Sequence, residues 1–116
     1  MIDKIISCGR KGAERAALEV AFELGIAVGG CVPPGAWAQG SPFDGLTVMA
    51  DAEIPACLEK NVADSDGTLI ITFGRPSGDA DIARRLSLKH RRQLLHIDAA
   101  CTDAADAAGL IRSWIE

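Results

Sequence analysis

Two apolar segments of this 116-residue chain each run into a glycine-bounded turn and then into a helical pattern. The first segment, residues 2–7, enters the turn CGRKG at residues 8–12, and the second, residues 68–73, enters GRPSG at residues 74–78. A strand that passes through a glycine turn into a helix begins a βαβ unit, whose strands pair in parallel. Because this arrangement occurs twice, it predicts an α/β fold.

The rest of the chain continues the alternation of strands and helices. We expect a Rossmann-like three-layer αβα sandwich with a mostly parallel sheet of about five strands, formed by one domain over residues 1–116. The β-branched segment 68–73 is predicted to be the central strand, buried on both faces. The other predicted elements are a helix over 13–24, a short apolar run over 26–28, a short strand over 46–49, helices over 53–64 and 79–90, a strand over 94–97 and a helix over 104–115.

Residues 31–44 are rich in proline and glycine and show neither a helical nor a strand period. The segment is therefore predicted to be a long loop. It contains Trp37 and Phe43, two of five aromatic residues, and we interpret it as a lid that packs on the core or on a ligand.

Composition limits the classes of partner. Hydrophobic residues make up 48% and charged residues 24%, which is typical of a folded globular domain. The net charge of −4 argues against nucleic acid, since no positive field is available to attract phosphates. The start of the chain has no apolar signal-peptide segment, and no run of residues is long and apolar enough for a membrane span. We therefore expect a cytoplasmic protein with neither a nucleic-acid nor a membrane partner.

The four cysteines do not form a Cys-x-x-Cys pair and have no neighbouring histidine, so no metal site is predicted. No nucleophile is paired with a base in the sequence, so no catalytic residue is predicted. The group Asn61, Asp64, Ser65 and Asp66 follows a predicted helix and is interpreted as turn residues.

The two glycine turns predict an anion site. Backbone N–H groups at a helix N-terminus bind phosphate-like groups when glycine lets the ligand approach closely. Ligands of open α/β sheets lie at the carboxyl ends of the strands, and a strand order of 3-2-1-4-5 would bring both turns to one crevice. We predict that a small anionic ligand is bound by Cys8, Gly9, Arg10, Lys11, Gly12, Gly74, Ser77, Gly78 and Asp79.

Alternatives stay open at this site. The turns match neither a Walker A loop nor a dinucleotide fingerprint, so each can also be a plain strand-to-helix connection. Asp79 can contact a metal or a ligand hydroxyl, or it can simply stabilise its helix. Cys8 precedes a helix N-terminus, a setting that lowers a thiol pKa, but it can equally be a small apolar core residue.

In order and spacing, residues 4–115 resemble the molybdenum cofactor carrier family, which is related to the Rossmann-like proteins of the lysine-decarboxylase-like (LOG) superfamily. The resemblance implies that a pterin-type cofactor, the molybdenum cofactor, or a nucleotide-like ligand is held at the loops after strands one and four, in a homo-oligomer. The residues that carry the resemblance are Ile5-Ile6-Ser7, Gly9, Gly12, Arg15-Ala16-Ala17-Leu18, Glu23-Leu24-Gly25-Ile26, Gly29-Gly30, Pro33, Gly35, Asn61-Val62, Asp64-Ser65-Asp66, Thr68-Leu69-Ile70-Ile71-Thr72, Ser77-Gly78 and Leu95-His96-Ile97-Asp98.

The chain departs from this family at the turns themselves. The family usually has Gly-Gly-Gln-Thr-Gly where this chain has CGRKG at residues 8–12, and Gly-Gly-Thr where this chain has GDA at residues 78–80. The first interpretation is a non-catalytic carrier-like binding protein with a phosphate-binding loop. The alternatives are a small nucleotide- or phosphoester-processing enzyme, with Asp79 or Glu14 as base, and a ligand-free oligomeric assembly module.

Overall fold

A computed structural model describes residues 2–10, 12–32, 46–48 and 54–115. Strands and helices alternate along these residues. The elements are β1 (Lys4–Ile6), α1 (Ala13–Glu23), β2 (Ala27–Val32), β3 (Leu46–Val48), α2 (Ile54–Ala63), β4 (Gly67–Thr72), α3 (Asp79–Lys89), β5 (Gln93–Asp98) and α4 (Ala104–Ile115).

The chain forms two compact units, residues 2–61 and residues 62–116. In the first unit, β1, β2 and β3 form a parallel sheet in that order, with Ile5 opposite Val28 and Cys31 opposite Thr47. Helix α1 packs against β1 and β2.

In the second unit, β4 and β5 form a parallel pair with Ile70 opposite His96 and Thr72 opposite Asp98. Helix α3 packs against both strands, and α4 packs against β5. The carboxyl end of β4 therefore enters the turn at residues 74–78, as the sequence predicts.

The α/β class with parallel strands is confirmed, and five strands are present among the described residues. The predicted single sheet is not observed. Hydrogen bonds join these strands into a three-stranded sheet and a two-stranded sheet. Strand β1 has only three residues, and its ladder partners all lie in β2. The prediction of one domain over residues 1–116 stays a prediction.

Strand β2 is longer than the sequence indicates. It continues through Gly29 and Gly30 to Val32, although the glycines were expected to end it and residue 31 to begin a loop. Gly30 allows a close approach between neighbouring backbones, since a Cβ there would lie 2.7 Å from the carbonyl oxygen of Ser7. The rest of the predicted loop, with Trp37 and Phe43, lies outside the described residues.

Strand β4 is not buried on both faces, which corrects the prediction of a central strand. Ile70 is buried, whereas Leu69 and Ile71 on the other face are 38% and 45% exposed. Among the described strands, β4 has a ladder only with β5. On the more exposed face, the Trp114 ring of α4 lies against Gly67 at the start of the strand. A continuous apolar, β-branched segment can therefore form a strand with only one buried face.

Candidate functional site

The loop after β1 is held by the hydroxyl of Ser7. This hydroxyl donates to the carbonyl oxygen of Glu14 at 2.8 Å and accepts from the N–H of Gly9 at 3.1 Å. Gly9 and Gly12 have φ values of 72° and 97°, which favour glycine over residues with a side chain. Gly12 is the N-cap of α1, and no side chain among the described residues caps this helix end. The loop thus ends at a helix N-terminus that no described side chain caps. The N–H groups of such a helix end are suited to an anion.

Arg10 in this loop is bound by Glu14 in the first turn of α1. The Nε–H and Nη2–H groups of Arg10 donate to the two carboxylate oxygens at 2.7 and 2.6 Å, and the backbone N–H of Arg10 donates to Oε1 at 3.2 Å. The sequence assigns the charge of Arg10 to a ligand. In the structure this charge is balanced by Glu14, a residue that the sequence analysis considered only as a base for the enzyme alternative.

Cys8 lies in the core rather than in solvent, with 2% of its surface exposed. Burial raises the pKa of its thiol from 9.0 to about 12, and the Glu14 carboxylate acts in the same direction. The lowered thiol pKa that its position suggests is therefore wrong, since loss of solvent outweighs the effect of nearby Arg10. The other interpretation of Cys8, as a small apolar core residue, agrees with the structure.

Asn61 of α2 is a residue whose role the sequence analysis missed. It is buried, its Oδ1 accepts from the N–H of Cys31 at 2.7 Å, and its Nδ2 donates to the carbonyl oxygen of Cys31 at 3.1 Å. Nδ2 also donates to Sγ of Cys8 at 3.2 Å. Asn61 is therefore not a turn residue. Its spacing of four from Cys57, which is also buried, was the available signal for an inward helix face.

The loop after β4 is positioned by side chains of β4 and β5. The hydroxyl of Thr72 donates to the carbonyl oxygen of Gly74 at 2.6 Å, and the N–H of Gly74 donates to Oδ1 of Asp98 at 2.7 Å. Nε2 of His96 lies 2.6 Å from the Thr72 hydroxyl. Since that hydroxyl has only one proton, which it donates to Gly74, Nε2 of His96 is the donor of this bond.

Asp98 carries its charge in this arrangement. Hydrogen bonds from the backbone N–H groups of Gly74 and Ala100 lower the pKa of its carboxyl, and His96 contributes in the same direction. Thr72, His96 and Asp98 therefore position the loop after β4. The sequence analysis did not assign these residues to the site, although alternate residues of a strand share a face.

Gly78 is the N-cap of helix α3, and its φ of 55° and ψ of −130° place it outside the usual regions for residues with a side chain. In the part of the chain that the structure describes, no side chain caps this helix end. Ser77 and Gly78 are exposed, and Asp79 is half-buried. Three of the predicted site residues therefore lie at an exposed or half-buried helix end, and their contact with a ligand stays a prediction.

The acidic first turn of α3 is partly neutralised. Asp81 forms ion pairs with Arg84 at 2.8 Å and with Arg85 at 2.9 Å. The hydrogen bond from Arg84 is the main cause that lowers the pKa of Asp81. Its repulsion of an anion at the helix end is correspondingly weaker than the sequence indicates.

The predicted site residues fall into two groups, one in each compact unit. Cys8, Gly9, Arg10 and Gly12 belong to the first, while Lys11 lies outside the described residues. Gly74, Ser77, Gly78 and Asp79 belong to the second. Over the described ranges, no group of three or more His, Cys, Asp or Glu side chains is arranged to hold a metal ion. Among these same residues, no helix is long and apolar enough to cross a membrane.

Comparisons with known proteins identify the family. A comparison with curated proteins found no match. Among solved structures, the chain is similar to the putative molybdenum carrier protein from Syntrophus aciditrophicus SB, with 40% sequence identity and a TM-score of 0.86, over 97% of this chain and 73% of that one. The model of the circularly permutated YpsA SLOG family matches residues 5–116. Both findings support the resemblance seen in the sequence, and the chain belongs to the circularly permutated YpsA SLOG family.

Proposed function

We propose that this protein is a non-catalytic carrier of a small anionic ligand of pterin or nucleotide type. The loops that follow β1 and β4 would contact the ligand. Gly9, Gly12, Ser77 and Gly78 would give close access to the backbone, and Arg10 would balance negative charge. In this proposal the molybdenum cofactor is the cargo of the protein, and the protein is a cytoplasmic homo-oligomer.

The observation that carries this proposal is the start of α3. Gly78 is its N-cap, no side chain of the described residues caps its first-turn N–H groups, and α3 has 11 residues. Anions gain about 0.3–1 kcal/mol at such a helix end. The bonds from Gly74 to Asp98 and from Thr72 to Gly74 hold the preceding loop in place. A ligand would therefore bind to donors that are already ordered. Little conformational entropy of the loop would be lost on binding.

The similar structure is named a putative molybdenum carrier protein, and this name supports a molybdenum-containing cargo such as the molybdenum cofactor. The molybdenum cofactor combines a pterin ring with a phosphate group, so backbone donors and an arginine suit its anionic end. Soft metal coordination by Cys8 does not fit, because the thiol is buried and its pKa is about 12. The cargo would be held through its phosphate and ring rather than through a cysteine thiolate.

A thermal-shift panel tests this function. Purified protein would be heated with a pterin phosphate, guanosine and adenosine monophosphates, pyrophosphate and molybdate. A ligand at 100 times its dissociation constant adds about 2.7 kcal/mol to the free energy of unfolding and raises the melting temperature. No shift with any member of the panel would contradict the proposal.

The homo-oligomer is supported by apolar surface in the second unit. Leu69 and Ile71, which alternation places on the same face of β4, are 38% and 45% exposed, and Phe73 just after the strand is 86% exposed. Exposed apolar surface of this kind marks contact sites between proteins. Light scattering at about 100 µM, a concentration suited to weak dimers, should give a mass above that of one chain. A monomer mass would contradict the oligomer and leave the ligand proposal in place.

A further inference from the structure

Three donors of Arg10 converge on one carboxylate. Its guanidinium edge and its backbone N–H all donate to Glu14, at 2.6, 2.7 and 3.2 Å. Two parallel N–H groups facing two oxygens form the arrangement by which arginine binds carboxylate and phosphate ligands. The loop after β1 therefore contains an oxyanion site that is filled by a side chain of the protein itself.

This contact is accessible to a ligand. The side chains of Arg10 and Glu14 are each 28% exposed, so a solute can reach the pair. Partly exposed ion pairs contribute little free energy, because water screens the charges and both side chains lose freedom. A ligand with sufficient charge can therefore displace the Glu14 carboxylate from Arg10.

Apart from the N–H of Arg10, the backbone of the loop has contacts that do not involve this carboxylate. The Ser7 hydroxyl binds the carbonyl oxygen of Glu14 and the N–H of Gly9. The N–H of Arg15 donates to the carbonyl oxygen of Arg10 at 2.9 Å, independently of the Glu14 side chain. Rotation of Glu14 about its side-chain bonds would leave these contacts in place.

We propose that Glu14 is an internal competitor for the oxyanion site of Arg10, and that a ligand binds this site by displacing it. This inference rests on the proposed function and adds a selection rule. A monocarboxylate only replaces one singly charged carboxylate by another and gains little. A dianionic phosphate monoester or a pyrophosphate carries more charge to Arg10, so the competition favours phosphorylated ligands.

Calorimetric titration with inorganic pyrophosphate tests the competition. Glu14→Gln keeps the size and one acceptor oxygen of the side chain but removes its charge, and we expect it to bind pyrophosphate about tenfold more tightly than the wild type. Glu19→Gln is the matched control, because it removes the same charge from an exposed position on the same helix. It should bind within about twofold of the wild type. Adding Arg10→Ala to Glu14→Gln should abolish the gain.

A second measurement uses the unaltered protein. The NMR signal of Arg10 Nε–H should shift when pyrophosphate saturates the wild type, since its acceptor changes from Glu14 to the ligand. Circular dichroism would establish that each variant is folded.

The inference is overturned if folded Glu14→Gln binds pyrophosphate no more tightly than the wild type, if Glu19→Gln gains equally, or if the Arg10 signal does not move. If Glu14→Gln does not fold, the Arg10 signal in the wild type decides. The ligand panel on the wild type decides the proposed function separately, because binding there with no gain in Glu14→Gln would refute only the competition.

Discussion

The side-chain amide of Asn61 donates to Sγ of Cys8 at 3.2 Å. The same amide is bonded to both the N–H and the carbonyl oxygen of Cys31. One buried side chain on α2 thus joins the loop after β1 to strand β2. Removing a buried polar side chain of this kind costs free energy. The groups to which it was bonded are left buried without a hydrogen-bond partner.

Replacement of Asn61 should destabilise the fold. Asn61→Ala leaves the N–H of Cys31 buried without its acceptor, and we expect the free energy of unfolding to fall by about 2–3 kcal/mol. Chemical denaturation would measure this change. Gln93→Ala is the matched control, because it removes an amide from an exposed position and should change stability by less than about 0.5 kcal/mol. Equal effects of the two substitutions would show that the bonds of Asn61 contribute nothing.

The buried thiols should resist alkylation. All four cysteines are free, with Cys8, Cys31 and Cys57 buried and Cys101 exposed. In the native protein near neutral pH we expect iodoacetamide to modify only Cys101, and the Cys101→Ser variant should react only after unfolding. Mass spectrometry of the labelled peptides would check this. Rapid labelling of native Cys8 would contradict its burial.

Stability should fall at alkaline pH because of Cys8. Its folded pKa of about 12 lies above the ordinary value of 9.0, so between these values the unfolded chain loses a proton that the folded chain keeps. The contribution of the protonated Cys8 thiol to stability is complete below about pH 9 and is lost as the pH rises toward 12. The free energy of unfolding should fall by up to about 1.4 kcal/mol per pH unit in this range. Cys8→Ala should flatten this slope in denaturation experiments, and an unchanged slope would contradict the raised pKa.

Gly67 should not tolerate a side chain. An added Cβ would lie 2.8 Å from Cζ2 and 3.0 Å from Cη2 of Trp114, so Gly67→Ala forces the ring to move. We expect a loss of about 1–3 kcal/mol in thermal unfolding. Gly109→Ala is the control, because a Cβ there meets no atom within 4 Å and the helix should gain about 0.5–1 kcal/mol. The cost of Gly67→Ala should shrink when Trp114 is replaced by Leu, and a full cost in that background would exclude the steric cause.

Stability should fall at acidic pH because of Asp98. Its folded pKa is lowered, mainly by the N–H of Gly74, so the stabilisation is present above the ordinary pKa and is lost as the pH falls through the folded value. Denaturation of Asp98→Asn between about pH 6 and pH 2 should show a shallower decline than the wild type. Parallel curves for the two proteins would contradict this contribution.

The sequence predicted local structure well where each element had its own signal. The two glycine turns fall between strand and helix as expected, and Gly12 and Gly78 are the N-caps of α1 and α3. Gly29 and Gly30 misled the prediction of β2, because a glycine that permits close backbone contact looks like a chain break in the sequence.

The site was harder to predict because its side-chain partners depend on tertiary structure. Arg10 was predicted to contact an anionic ligand, and its bidentate bond to Glu14 was not anticipated. Asn61 and Asp98 meet their partners across 30 and 24 residues of sequence, and no local pattern specifies such pairs. Of the two interpretations of Cys8, the lowered thiol pKa was wrong because burial, which sequence position does not reveal, is the largest influence on that pKa.

The most direct test of the carrier function is an NMR titration of ¹⁵N-labelled protein with the tightest ligand of the thermal-shift panel. We expect saturable shifts of the backbone amides of Gly9, Gly12, Gly74, Ser77 and Gly78, while the amides of exposed α4 residues such as Gly109 stay in place. Saturable shifts confined to other parts of the chain, or no shifts at all, would contradict the claim that these loops bind an anionic ligand.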